Sequence, residues 1–97
     1  MKEIWKTIYW RPLYEVSNLG RVRNRKSGHI IATNPTKSHR HPQVWLYSEY
    51  WRATEQFTLS HIVYNAFSNN KTRSYTDRIG HKDGDIMNNR FNNLYLY

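Results

Sequence analysis

The chain has 97 residues, with fifteen Lys and Arg against seven Asp and Glu, a net charge of +8 and an aromatic fraction of 15%. A chain this short is expected to form one small domain, and that density of positive charge favours a polyanionic partner. No cysteine occurs, which excludes disulfides and Cys-based zinc sites; no apolar run approaches the length of a bilayer span; and Met1 to Trp5 lacks the apolar stretch of a signal peptide, so a reducing cytoplasm is the expected location.

In chain order, Tyr14-Glu15-Val16 reads as a short strand. Ser17-Asn18-Leu19-Gly20 reads as a turn with glycine where a positive φ is easiest, and Arg21 to Arg25 as the return strand. A period of two puts Arg21, Arg23 and Arg25 on one face, where three guanidinium groups repel each other unless an anion lies across them. Arg25 to Gly28 is a second turn, and His29 to Ala32 another strand. Asn34 to Pro42 carries Lys37, His39, Arg40 and His41 between two prolines and reads as an exposed basic loop. His39 and His41 flank Arg40 with strand-like spacing, which by itself does not make a metal site. Gln43 to Tyr47 and Gln56 to Leu59 read as a further hairpin.

From Ser60 the period changes. Ser60 is the expected N-cap, and Leu59, Ile62, Val63, Ala66 and Phe67 form one apolar stripe at helical spacing. His61, beside those apolar neighbours, reads as a hydrogen-bonded structural histidine. Asn69-Asn70 should end the helix, with Lys71 to Asp77 as a polar connector. Arg78 to His81 should be a strand paired with Asn93 to Tyr97. The aromatic excess is mainly core, with Trp10, Tyr50 and Trp51 as the rings that could stack on a base. The expected class is α+β, a mostly-β domain with one helix and a C-terminal hairpin, divided into a β region (1–58) and a helix-plus-hairpin region (59–97).

Three segments carry a family resemblance. Within Trp5 to Arg23, the run Tyr14-Glu15-Val16-Ser17-Asn18-Leu19-Gly20-Arg21-Val22-Arg23 resembles the NUMOD4 motif of phage and intron-borne homing endonucleases. Leu59 to Phe67 resembles the helix that packs under the HNH hairpin of those proteins. His81 to Tyr97, HKDGDIMNNRFNNLYLY, resembles the first part of an HNH nuclease site, H-K-D-G-x-x-x-N-N-x-x-x-N-L. The resemblance implies that His81 is a general base and that Asn93 orients it, the Asn93 carbonyl taking the proton-bearing ring nitrogen. It also implies a tight loop begun by Lys82, Asp83 and Gly84 and closed by Asn88 and Asn89, and a divalent cation, Mg or Mn, on the scissile phosphate. The family's metal-binding positions do not carry over. Position 80, before the histidine, is Gly, and the other ligand belongs to a helix beyond the second strand, whereas this sequence stops at Tyr97. The hairpin therefore resembles an incomplete ββα-metal motif, with no metal ligand assigned.

The function expected from this reading is a DNA-binding protein of phage or mobile-element type, descended from an HNH homing endonuclease and catalytically impaired, in the cytoplasm of a bacterial host. Candidate phosphate contacts are Arg21, Arg23, Arg25, Lys26, Lys37, Arg40, Lys71, Arg73, Arg78, Lys82 and Arg90. No cofactor is expected unless the protein cuts, in which case Mg or Mn is. One alternative is an active nicking endonuclease in which Asp83 or Asp85 replaces the lost ligands. Another is a phage-encoded regulator that binds a host protein through apolar surface the hairpin leaves uncovered, a surface that a homodimer could equally cover.

Overall fold

The alternation in the first half becomes four antiparallel strands paired in chain order: β1 (Trp5–Thr7), β2 (Tyr14–Ser17), β3 (Val22–Asn24) and β4 (Ile30–Ile31). These coordinates come from a computed structural model, which describes residues 2–37, 40–68 and 78–97. The register sets Val16 against Val22 on the inner face, where both are fully buried, and Glu15 against Arg23 on the outer face. Ser17 Oγ accepts the N–H groups of Leu19 and Arg21, and Gly20 takes a φ of 85° to close the first turn. In the second turn, Asn24 Oδ1 accepts the N–H groups of Lys26 and Ser27, each at 2.9 Å.

No sequence pattern announces β1. Trp5-Lys6-Thr7 shows no apolar alternation, and the strand forms because β2 offers it a ladder and Asn18 fixes its approach. Asn18 Oδ1 accepts the Ile4 N–H at 2.7 Å, and its Nδ2 donates to the Lys2 carbonyl at 3.1 Å. Lys6 Nζ donates to the Ala66 carbonyl at 3.3 Å, at the C-terminal end of the helix, where a cation is favoured by the backbone dipoles.

β5 (Gln43–Ser48) pairs with β6 (Ala53–Thr58) along their full length. The second strand starts earlier than the expected Gln56, because Ala53-Thr54-Glu55 are all exposed and carry no alternation to mark them. Leu59 belongs to the helix α1 (Leu59–Phe67) rather than to the strand. Thr58, not Ser60, stands at the N-cap. Its hydroxyl is taken by Gln43 Nε2 at 3.3 Å, and the Leu59 N–H donates to the Pro42 carbonyl at 3.1 Å. Tertiary partners thus satisfy the junction, no capping side chain is needed, and Ser60 lies buried in the first turn. The helix closes with the Ser68 N–H on the Tyr64 carbonyl; the expected Asn69-Asn70 stop and the Lys71 to Asp77 connector lie outside the described residues.

β7 (Ile79–His81) and β8 (Leu94–Leu96) form the C-terminal hairpin, with a 3-10 turn at Phe91–Asn93 before β8. One core joins the three sheets and the helix. Val16 and Val22 meet Val44 and Leu46 of β5, the Leu59, Ile62, Val63 and Tyr64 stripe of α1, and Ile79 and Leu94 of the hairpin. Each fully buried aliphatic side chain in such a cluster contributes about 1.5–3 kcal/mol. The Tyr14 hydroxyl accepts the Tyr47 N–H at 3.1 Å, tying the first sheet to the second, and Phe91 lies against Tyr64 and Phe67 under the hairpin. Among the described residues no helix is long and apolar enough to cross a membrane.

Candidate functional site

The hairpin loop is organised by its own acidic and amide side chains. Asp83 Oδ1 accepts the Asp85 N–H at 2.8 Å and Asn93 Nδ2 at 3.0 Å, while Asp83 Oδ2 accepts Asn88 Nδ2 at 2.8 Å. Asn88, the Asp85 N–H and Asn93, in that order, pull the Asp83 carboxyl down to about 2. Asp85 Oδ1 accepts the Met87 N–H at 2.9 Å, and Asn93 Oδ1 accepts the Asp83 N–H at 3.2 Å. Gly84, with a φ of 76°, turns the chain directly after His81. Asn93 is therefore the centre of the loop.

Its role toward His81 differs from the expectation. The Asn93 carbonyl accepts the Lys82 N–H at 2.8 Å, extending the β7–β8 ladder, and the imidazole is held by Asn89 instead. His81 Nε2 lies 2.9 Å from Asn89 Oδ1, and Asn89 Nδ2 donates to the Ile86 carbonyl at 3.2 Å. With the amide so fixed, Oδ1 can only accept. The ring proton thus sits on Nε2, and Nδ1 carries the lone pair. Asn89 is buried, which makes this a firm orientation. Nothing in the linear motif separates Asn89 from its neighbour Asn88, so the assignment needed the fold.

The NUMOD4-like turn buttresses Asn89. Phe91 N–H donates to the Asn18 carbonyl at 2.8 Å, and a Cβ on Gly20 would lie 2.9 Å from the Asn89 carbonyl oxygen. Two segments far apart in sequence thus meet at the residue that aims the histidine.

Among the described residues, the position before His81 offers a divalent cation no side chain. Gly80 has no side chain, and the Tyr95 ring, its cross-strand partner, fills the space a side chain would enter, 2.3 Å from an added Cβ. The Asp83 oxygens accept hydrogen bonds within the loop and Asp85 Oδ1 accepts the Met87 N–H, so both carboxylates help to shape the turn. Among the described residues no group of three His, Asp or Glu side chains is arranged to hold a metal.

The cations divide into two kinds. Arg21 forms a two-pronged pair with Glu3, its Nε lying 2.8 Å from Oε2, and this contact holds the Glu3 carboxyl below its ordinary value. Arg23 Nε bonds Glu15 at 2.9 Å and its guanidinium lies 4.0 Å from the Trp5 ring centroid. The anions across the arginine row are thus partly the protein's own. Arg25, Lys26, Lys37, Arg40, Arg78, Lys82 and Arg90 are exposed, and none has a carboxylate ion-pair partner among the described residues. Lys71, Arg73 and His39 lie outside the described residues. Trp10 is not a free stacking ring: it packs edge-on against Phe57 with Arg11 over both, and Arg11 is paired with Glu55. Tyr50 and Trp51, at the β5–β6 tip, are 84% and 67% exposed.

A NUMOD4-like sheet docked on a helix and an HNH-type hairpin, with an oriented histidine at the hairpin's strand end, is an arrangement similar to that of the HNH endonucleases. Residues 3–47 match the family model described as the NUMOD4 motif. The chain is 32% identical over 91 residues to an uncharacterized HNH endonuclease of Acanthamoeba polyphaga mimivirus, a match that covers 93% of this chain and 26% of that protein. Its fold superposes with a TM-score of 0.80 on the HNH homing endonuclease I-HmuI, in a structure titled for DNA binding and cleavage, at 26% identity over 97% of this chain and 52% of that one. The chain is a NUMOD4-bearing relative of the HNH homing endonucleases, spanning about half of the solved relative and a quarter of the viral one.

Proposed function

We propose that this chain is a DNA-binding protein of viral or mobile-element origin whose HNH hairpin engages backbone phosphate without supplying, from its described residues, a complete hydrolytic centre. The observation that carries this reading is the pair Gly80–Tyr95: beside a properly aimed His81, the place of a ligand is a glycine covered by an aromatic ring. A general base alone does not cleave a phosphodiester, because the departing oxygen and the phosphate charge remain unstabilised. Exposed lysines and arginines remain to bind phosphate, which positions a protein on DNA without reading its sequence.

Gel-shift titrations over a salt series test the binding, with an expected log–log slope of roughly 0.9 per phosphate neutralised. A flat salt response removes the reading. The orientation of His81 by Asn89 is what favours the second reading, a nicking endonuclease. Plasmid nicking in Mg²⁺ or Mn²⁺ that His81→Ala abolishes establishes that reading in place of the first.

A further inference from the structure

The imidazole of His81 is not the only one at the hairpin. His41, forty residues earlier in a different loop, brings its ring to 5.6 Å from that of His81, centroid to centroid, with 35° between the planes. The position is built rather than incidental. Gln43 Nε2 donates to the His41 carbonyl at 3.0 Å, Gln43 is itself buried and bonded to Thr58, and the buried Pro42 that follows accepts the Leu59 N–H at 3.1 Å. β5 and the first turn of α1 thus fix the backbone of His41 opposite the end of β7. Neither ring nitrogen of His41 is hydrogen-bonded among the described residues, and His81 keeps Nδ1 free because Nε2 is given to Asn89.

Two imidazoles so placed repel when both are protonated, and the groups acting on His41 from the surrounding elements are all basic: His81 on β7, Arg40 on its own loop and His61 on α1. Partial burial first, and then these three neighbours, hold His41 below its ordinary value. An anion between the rings reverses the balance. It would accept one charge-assisted hydrogen bond of about 2.8 Å from each imidazolium and relieve the repulsion between them.

We propose that His41 and His81 form a two-imidazole site for one phosphate group of a nucleic-acid backbone, with Arg40 as an outer cation. The inference rests on the DNA-binding reading and makes His41, on which the linear motif is silent, a binding residue. Binding through this site takes up protons, so affinity rises as pH falls through the histidine range, whereas contacts from lysine and arginine are insensitive to pH there.

The test is the affinity of the protein for a short DNA duplex at fixed ionic strength between about pH 5.5 and 8. It compares wild type, His41→Gln, His81→Gln and Arg25→Gln. Wild type is expected to tighten on acidification, and His41→Gln to lose about tenfold or more at the acid end, the effect of one charged hydrogen bond, with a flattened profile. Arg25→Gln should weaken binding equally at every pH. In parallel, the His41 ring resonances of the unaltered protein should titrate at higher pH when DNA is bound, a readout that does not depend on any variant folding. Binding with an unchanged pH profile in His41→Gln, or a His41 titration indifferent to DNA, overturns the two-imidazole site and leaves the DNA-binding function standing. A wild-type protein that binds no DNA at low salt overturns both.

Discussion

A Cβ added at Gly80 would lie 2.3 Å from the Tyr95 ring, yet Gly80 is not in a left-handed conformation, so space and not backbone freedom calls for glycine here. The obstructing atoms are the far end of a side chain that is 42% exposed, which can swing outward. Gly80→Ala is therefore expected to cost only about 1 kcal/mol, and the cost should vanish in a Tyr95→Ala background; a double-mutant cycle in denaturant measures the coupling. Equal costs in both backgrounds would show that Tyr95 is not the obstacle. Two titrations act at this scale with one sign and separate windows. The Asp83 carboxyl is depressed from 3.8 to about 2, so its contribution to stability is complete above about pH 4 and is lost as pH falls toward 2. His41 is depressed from 6.5, so the unfolded chain takes its proton first and stability declines as pH falls below that value. In a thermal-midpoint profile, Asp83→Asn should flatten the strongly acid limb and His41→Gln the limb below neutrality. An Asp83→Asn profile identical to wild type below about pH 4 would mean that the loop bonds do not contribute to folding stability.

On the outer face of the first sheet, the arginines that alternation places together are held by Glu3, Glu15 and Trp5. Exposed ion pairs contribute little to stability, so their main consequence is for charge: a phosphate approaching Arg21 or Arg23 must compete with a resident carboxylate. Replacing Glu3 and Glu15 together by Gln should leave the thermal midpoint above pH 5 nearly unchanged. It should tighten DNA binding at low salt and steepen the log–log salt slope by roughly 0.9 for each phosphate gained. A slope that stays the same assigns these arginines to the sheet alone. The β5–β6 hairpin shows a different use of alternation, since Val44 and Leu46 are fully buried while Trp45 and Tyr47 face out.

Across the whole molecule, the N-terminal turn and the C-terminal loop depend on each other. Gly20 combines a φ of 85° with a close approach to the Asn89 backbone, so neither conformation nor space admits a side chain. Gly20→Ala should destabilise the fold by about 1–3 kcal/mol or more and displace Asn89, which releases the Nε2 proton of His81. Nitrogen chemical shifts of the His81 ring report the loss of that tautomer directly. If stability falls while those shifts stay put, the contact is structural and does not aim the histidine.

The turns at Gly20 and Gly28, the strand alternation around Val16 and Val22, the helical stripe from Leu59 to Phe67 and the hairpin around His81 were all legible in the sequence, because each is set by backbone preference or side-chain period within a few residues. β1, the Thr58 junction in place of a Ser60 cap, the Glu partners of the arginine row, the grip of Asn89 on His81 and the arrival of His41 beside it were not. Each of these is a contact between segments distant along the chain, and such contacts exist only once burial of the common core has brought the segments together. Sequence alone determined the candidates, His81 in its motif and the excess of Lys and Arg; tertiary packing decided which of them are free and added Asn89 and His41, because a charge or ring nitrogen is available only when no neighbour brought by the fold has already claimed it.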